Sequence, residues 1–148
     1  MAIAKRKLPV AITRMLRRAT VARLATVDAN QHPHLVPICF VFDGKLFHTA
    51  VDRKPKRVSA QQLARLRNIQ RQPRVALLID HYEDDWTRLW YVLIRGKAKV
   101  LPLSARRQRD SALRRLRTKY PQYARGMLAD EATIIQIQPQ KFTCWSAI

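Results

Sequence analysis

Apolar and polar residues alternate from Val21 to Val27, and apolar residues crowd the stretch from His34 to Phe42, which holds Leu35, Val36, Ile38, Phe40, Val41 and Phe42. Both stretches read as β-strands. A third strand, Lys45 to Val51, follows the pair Asp43-Gly44. Such a pair between two apolar runs supplies the positive φ of a two-residue hairpin turn. The link between the first two strands, Asp28 to Pro33, has no glycine, and Asn30 is its best candidate for a left-handed position. The three strands run directly into Arg53, Lys54, Pro55, Lys56 and Arg57, a basic loop at a strand end.

The rest of the chain alternates between the two periods. Residues 1 to 8 read as a basic, frayed start. Pro9 suits the first turn of a helix over Val10 to Ala19, with Ile12, Met15, Leu16 and Ala19 on one face. A second helix covers residues 58 to 72; Ser59 and Gln62 fit a capping box, Leu63, Leu66 and Ile69 form its stripe, and Pro73 closes it. Residues 74 to 80 give a fourth strand, the acidic HYEDDW segment (81 to 86) a turn, and residues 88 to 101 a long fifth strand. Gly96 within that strand marks a bulge or the close approach of another backbone. A third helix spans Ala105 to Lys119 with Leu113 and Leu116 inward, and its arginines, Arg106, Arg107 and Arg109 among them, read as solvated. Gly126 marks a later turn. The last strand runs from Thr133 to Ile137, with an extension past Pro139 to Trp145. Six strands and three helices in this order predict an antiparallel barrel with helices packed outside it.

Length and composition narrow the class. A chain of 148 residues that is 47% hydrophobic is expected to form a single domain, residues 1–148, with its own core. No apolar run approaches the ~18 residues of a membrane span, and the N-terminus lacks the apolar segment of a signal peptide. With Cys39 and Cys144 far apart and no CxxC, the expectation is two buried thiols in a cytoplasmic protein. Charge is the unusual quantity: 29 Lys and Arg against 10 Asp and Glu leave +19. That excess predicts attraction to polyanions, nucleic acid included, without specifying one. It is also spread along the whole chain, as a general compositional bias would be.

Four cations within residues 53–57 suit a phosphate dianion, which needs several converging donors; the alternative is a solvated turn. His81, Glu83, Asp84 and Asp85 match no metal-ligand spacing and read as a hairpin balancing nearby arginines. Trp86, Trp90 and Trp145 could stack nucleic-acid bases, but fit a dimer interface or another packed apolar face better. GxGxxG, P-loop, HExxH and GxSxG motifs are all absent from the sequence.

Taken together, RLATVDANQHPHLVPICF, the basic loop, RNIQRQPRVALLIDHYEDDW and RLWYVLIRGKAKV resemble the pyridoxamine 5'-phosphate oxidase-like split-barrel family, and within it the subgroup that uses coenzyme F420. The resemblance covers residues 10 to 146. It departs from the pattern at Asn30-Gln31-His32, where a glycine usually precedes the His-Pro, and in its higher charge. The resemblance implies a mainly β, six-stranded antiparallel split barrel of Greek-key topology with about three flanking helices. It implies a homodimer with F420, or FMN, bound at the interface. By position, the ring would lie along the second strand, near backbone groups of His34, Val36, Pro37 and Ile38. Lys54, Lys56 and Arg57 would hold the phosphate, with Arg65 and Asn68 nearby, and Trp90 and Trp145 would come from the second subunit.

The function so implied is an F420- or FMN-dependent oxidoreductase acting on a small organic substrate. No protein acid or base is assigned, because the cofactor carries the hydride chemistry. Two readings stand beside it: a basic nucleic-acid-binding barrel, and a haem- or flavin-binding protein without turnover.

Overall fold

The computed structural model describes residues 2–4, 8–52 and 60–147. Eight antiparallel strands form one sheet: β1 (Ala2–Ala4), β2 (Ala22–Val27), β3 (Pro33–Ile38), β4 (Val41–Phe42), β5 (Phe47–Ala50), β6 (Arg74–His81), β7 (Trp90–Val100) and β8 (Ile134–Ser146). Seven follow one path, β3-β2-β6-β7-β8-β5-β4, and β1 pairs beside β8. The three helices are α1 (Val10–Arg18), α2 (Ala60–Arg71) and α3 (Arg106–Lys119).

The connectivity explains the curl of this sheet. β3 and β4 stand at its opposite ends, yet only Cys39 and Phe40 separate them in the chain. Two residues span less than about 10 Å, so the two ends must meet. The result is a barrel split between β3 and β4. Alternation then sorts the side chains. Leu24, Val36, Ile38, Leu77, Ile79 and Ile94 turn inward and are buried, with Leu16 of α1 and Ile69 of α2 closing the core.

A second core lies outside the barrel. Leu113 and Leu116 of α3 pack with Val41, Ala50, Leu101, Tyr123 and Ile134. β5 is therefore buried on both faces. Tyr120 ties this layer to the split: its hydroxyl accepts the N–H of Phe40 at 2.9 Å and faces the carbonyls of Thr20 and Phe40 at 2.9 and 3.0 Å.

The structure corrects the sequence reading at several points. The barrel path has seven strands rather than six, because the single strand expected from His34 to Phe42 breaks at Cys39 and Phe40. The basic start is not wholly frayed: Ala2–Ala4 pairs with residues 141–143 of β8. The left-handed residue of the first turn is Gln31 (φ 64°), not Asn30. Asp28 Oδ1 accepts the N–H groups of Asn30 and His32 at 2.8 and 2.9 Å, which moves the reversal one residue on. The hairpin turn is centred on Gly44-Lys45, since Asp43 N–H bonds Leu46 O at 3.1 Å and Gly44 carries the positive φ of 101°. Arg109 is not solvated; it is buried and donates to the carbonyls of Asp130 and Ala132 at 3.1 and 2.9 Å.

Gly96 meets both expectations at once. The β7–β8 register shifts between Arg95 and Gly96, and a Cβ at Gly96 would lie 2.4 Å from the carbonyl oxygen of Gln138. Both cysteines are half-buried thiols outside any disulfide. Among the described residues no helix is long and apolar enough to cross a membrane.

Candidate functional site

β3 is the strand along which the family resemblance would lay the cofactor ring, and it is an edge of the split. Among the described residues it pairs with β2 alone, in a register that sets His34 opposite Thr26 and Val36 opposite Leu24. Pro33 and Pro37 have no N–H and cannot donate to a ladder, so their nitrogens belong on the side away from β2. The same parity gives the free edge one donor, the N–H of Leu35, and the carbonyls of residues 33, 35 and 37. The backbone groups of His34, Val36 and Ile38 face β2, while their side chains turn to the barrel interior; Val36 and Ile38 are buried there. Pro37 and Leu35 point outward, and Leu35 is 65% exposed.

Behind β3 lies a polar cluster that helix α2 completes. Thr26 is fully buried, and its hydroxyl accepts a hydrogen bond from Asn68 Nδ2 at 3.0 Å. Arg65, one turn earlier on the same helix, is buried as well. Burial pushes its guanidinium below the ordinary value, against the opposing pull of Asp52 and Tyr123. Tyr123 donates its hydroxyl to Asp52 Oδ2 at 2.5 Å, and its own pKa is raised, first by burial and then by that bond. Two buried nitrogens in this region, His34 Nδ1 and Arg65 Nε, have no hydrogen-bond partner. An orphaned buried polar atom calls for an explanation, and a bound molecule with acceptor and donor edges would supply one. The described residues therefore fit a polar-edged cofactor at β3.

The remaining expected site residues divide. Lys54, Lys56 and Arg57 lie outside the described residues. Trp90 and Trp145 are on opposite faces of the sheet. Trp90 packs against the inner core, whereas Trp145 is half exposed and stacks on Tyr91 with ring centroids 5.8 Å apart. Tyr91 and Trp145 belong to an outer face that also carries Leu78, Leu93 and Thr143, paired across β6, β7 and β8. Asp52 and Tyr123 were missed in the sequence, where nothing local ties residue 52 to residue 123.

The acidic hairpin is held by ordinary ion pairs. Asp80 bonds Arg23, Glu83 bonds Arg88 at 3.1 Å and lies 3.3 Å from His81, and Asp85 Oδ1 caps Thr87. These contacts match the hairpin expected to balance nearby arginines.

A split antiparallel barrel with polar groups gathered beneath an open edge strand defines the class of protein. The family model for pyridoxamine 5'-phosphate oxidase matches residues 8–146, and the chain belongs to that family. It is 28% identical over 134 residues to a 5a,11a-dehydrotetracycline/5a,11a-dehydrooxytetracycline reductase of Streptomyces rimosus, covering 88% of this chain and 77% of that protein. The haem-storage protein HutZ of Vibrio cholerae shares its fold with a TM-score of 0.71 at 14% identity, over 94% of this chain and 96% of that one. An F420 reductase superposes with a TM-score of 0.63 at 21% identity, over 92% of this chain and 98% of that one.

Proposed function

We propose that the chain is an oxidoreductase that uses a flavin-type cofactor, F420 in preference to FMN, to exchange a hydride with a small organic substrate. Membership of the pyridoxamine 5'-phosphate oxidase family over residues 8–146 is the observation that carries this reading. The likeness to a 5a,11a-dehydrotetracycline/5a,11a-dehydrooxytetracycline reductase supports the redox class. When bound, the cofactor supplies the hydride chemistry; the chain's part is to bind it, orient it and exclude water. In this reading the polar edge of the ring meets Leu35 N–H and the carbonyls of β3. His34 Nδ1 takes a hydrogen bond on the inner side, and the phosphate lies on Lys54, Lys56 and Arg57. Arg65, buried on α2, would assist them with its positive charge.

The working unit in this proposal is a homodimer joined through the outer face around Tyr91, Leu93 and Trp145. Trp145 is exposed there with Tyr91 and Leu93 part-buried beside it, and a partner covering them would bury apolar surface. The test is a titration of the purified protein with F420, FMN and haem, followed by absorption and fluorescence. Saturable F420 or FMN binding, with hydride exchange on adding a reductant, is expected. A Soret band on haem addition with no response to either flavin would overturn the redox reading. Sedimentation giving a monomer of 17.3 kDa would remove the dimer.

A further inference from the structure

Many cations on this chain have partners. Arg23 pairs with Asp80, Arg88 with Glu83 and Arg117 with Asp130, and Arg109 with two carbonyls. Four others gather in one place. An open groove of about 360 Å³ between α1, the last turns of α3 and the β4–β5 hairpin is lined by Arg17, Arg114, Arg115 and Lys119 over a floor of Val41 and Phe42. Among the described residues no carboxylate lines it. Asp43, at the start of the hairpin turn, gives Oδ1 to the N–H groups of Lys45 and Leu46 at 2.8 and 2.7 Å. Arg17 reaches only the Asp43 carbonyl, at 3.4 Å.

Lys119 sits deepest in this arrangement. Its Nζ donates to the Phe40 carbonyl at 3.0 Å and stands 3.9 Å over the centre of the Phe40 ring. The ammonium thus gives up water and gains a carbonyl and a π-face, but no counter-charge among the residues lining the groove. Burial accordingly lowers its pKa to about 8, against a small opposing effect of the Cys39 thiol. Four like charges around one depression repel one another, and an anion placed among them relieves that repulsion. Two or three guanidinium forks fit the tetrahedral oxygens of a phosphate better than a single carboxylate.

The shape narrows the ligand further. The volume suits a small organic molecule. Binding of single-stranded nucleic acid uses exposed aromatic platforms, and the one aromatic in this groove, Phe42, is buried. We propose that this groove binds a phosphomonoester, with Arg17, Arg114 and Arg115 around the phosphate, Lys119 at the base and the ester group along the surface of β4 and the exposed Thr118. No β3 residue lines the groove, and the proposal does not depend on the redox reading.

The test is a two-dimensional NMR titration of the whole chain with phenyl phosphate, read at the amides of Phe42 and Thr118, with phenol and inorganic phosphate as parallel arms. Phenyl phosphate should move these amides saturably, inorganic phosphate more weakly, and phenol not at all. Arg114→Gln with Arg115→Gln should weaken phenyl phosphate at least tenfold, about the loss expected from one charged hydrogen bond or more. Both side chains are exposed, so the rest of the spectrum should be retained. Equal binding by the double variant would overturn the proposal, as would equal shifts from phenol. Inorganic phosphate binding as tightly as phenyl phosphate would remove the ester from it. An oligonucleotide that moves these amides when phenyl phosphate does not would assign the groove to nucleic acid instead. Saturating FMN should leave the phenyl phosphate shifts in place; displacement would make the groove the cofactor's own phosphate site and overturn a separate ligand.

Discussion

The hydroxyl of Tyr120 accepts the backbone N–H of Phe40 at 2.9 Å, across 80 residues of chain. Phe40 is one of the two residues that join the ends of the curled sheet, so a side chain from beyond α3 satisfies the backbone at the split. The same hydroxyl has one proton to offer the carbonyls of Thr20 and Phe40. Tyr120→Phe should leave the Phe40 N–H buried without an acceptor. The expected loss is about 1–3 kcal/mol of stability, read from urea unfolding with an unchanged m-value.

Arg109 and its neighbours on α3 should behave oppositely. Arg109 is 5% exposed and holds the carbonyls of Asp130 and Ala132. Arg109→Gln should cost about 1.5–3 kcal/mol, as loss of a charged hydrogen bond does. Arg106→Gln and Arg107→Gln, both at exposed positions, should stay within about 0.5 kcal/mol of the parent. Equal effects across the three would show that the loop after α3 does not depend on Arg109.

Gly96→Ala sets a new methyl against the Gln138 carbonyl at 2.4 Å, and its nearest neighbours are backbone that cannot swing aside. Overpacking of this kind costs about 1–3 kcal/mol. Thermal unfolding should report the loss, and amide exchange should quicken around residues 95–97 and 138–139, where the register shifts.

For the basic loop, Lys56→Gln with Arg57→Gln should weaken F420 or FMN roughly 10²- to 10⁴-fold, the effect of losing two charged hydrogen bonds. Riboflavin, which has no phosphate, should bind the parent weakly and be nearly indifferent to the change. Calorimetric titration of both ligands separates a phosphate contact from a ring contact. Equal losses for the two would place these residues against the ring.

The pH dependence of stability should carry a mark of Lys119. Its folded value is about 8 against an ordinary 10.5. Between those values the unfolded chain holds a proton that the folded chain has released. Stability must therefore rise with pH from about 8 upward, and the benefit is lost as pH falls through 8. Tyr120, raised by burial above its ordinary value of 10.0, acts the other way above that pH. The window for Lys119 is thus pH 8 to 10. Urea midpoints measured across it should climb in the parent and flatten in Lys119→Met, which keeps the stem over the Phe40 ring.

Much of the architecture was legible because alternation is a local property. Leu24, Val36, Leu77 and Ile94 are inward residues on the parity that the sequence gives them, and Leu113 and Leu116 of α3 are inward as expected. What failed were features decided at a distance. The break after Ile38 depends on Tyr120, 80 residues on. Gln31 rather than Asn30 turns left-handed because Asp28 has captured the two flanking N–H groups. Arg109 reads as one more exposed arginine until residues 130 and 132 arrive beside it. Within the site, β3 was found from its apolar pattern, but its free edge is defined by Pro33 and Pro37. The burial of Arg65 follows from packing of α2 against the barrel. Nothing in the spacing of Asp52 and Tyr123 foretold their contact.

The place of β8 in the sheet bears on how the molecule is made. Strands β5 and β7 are both synthesised before it, yet β8 lies between them and is bonded to each. While the ribosome is still translating residues 134–146, the two halves of the barrel have no common strand. The core around Ile135 and Ile137 cannot close until that segment leaves the exit tunnel. The nascent chain must therefore wait with two open β-edges and an apolar interior, which is when strands are most exposed to wrong partners. A domain of this topology depends on late insertion of an interior strand, and slow translation ahead of residue 134 would lengthen its exposure rather than help it fold.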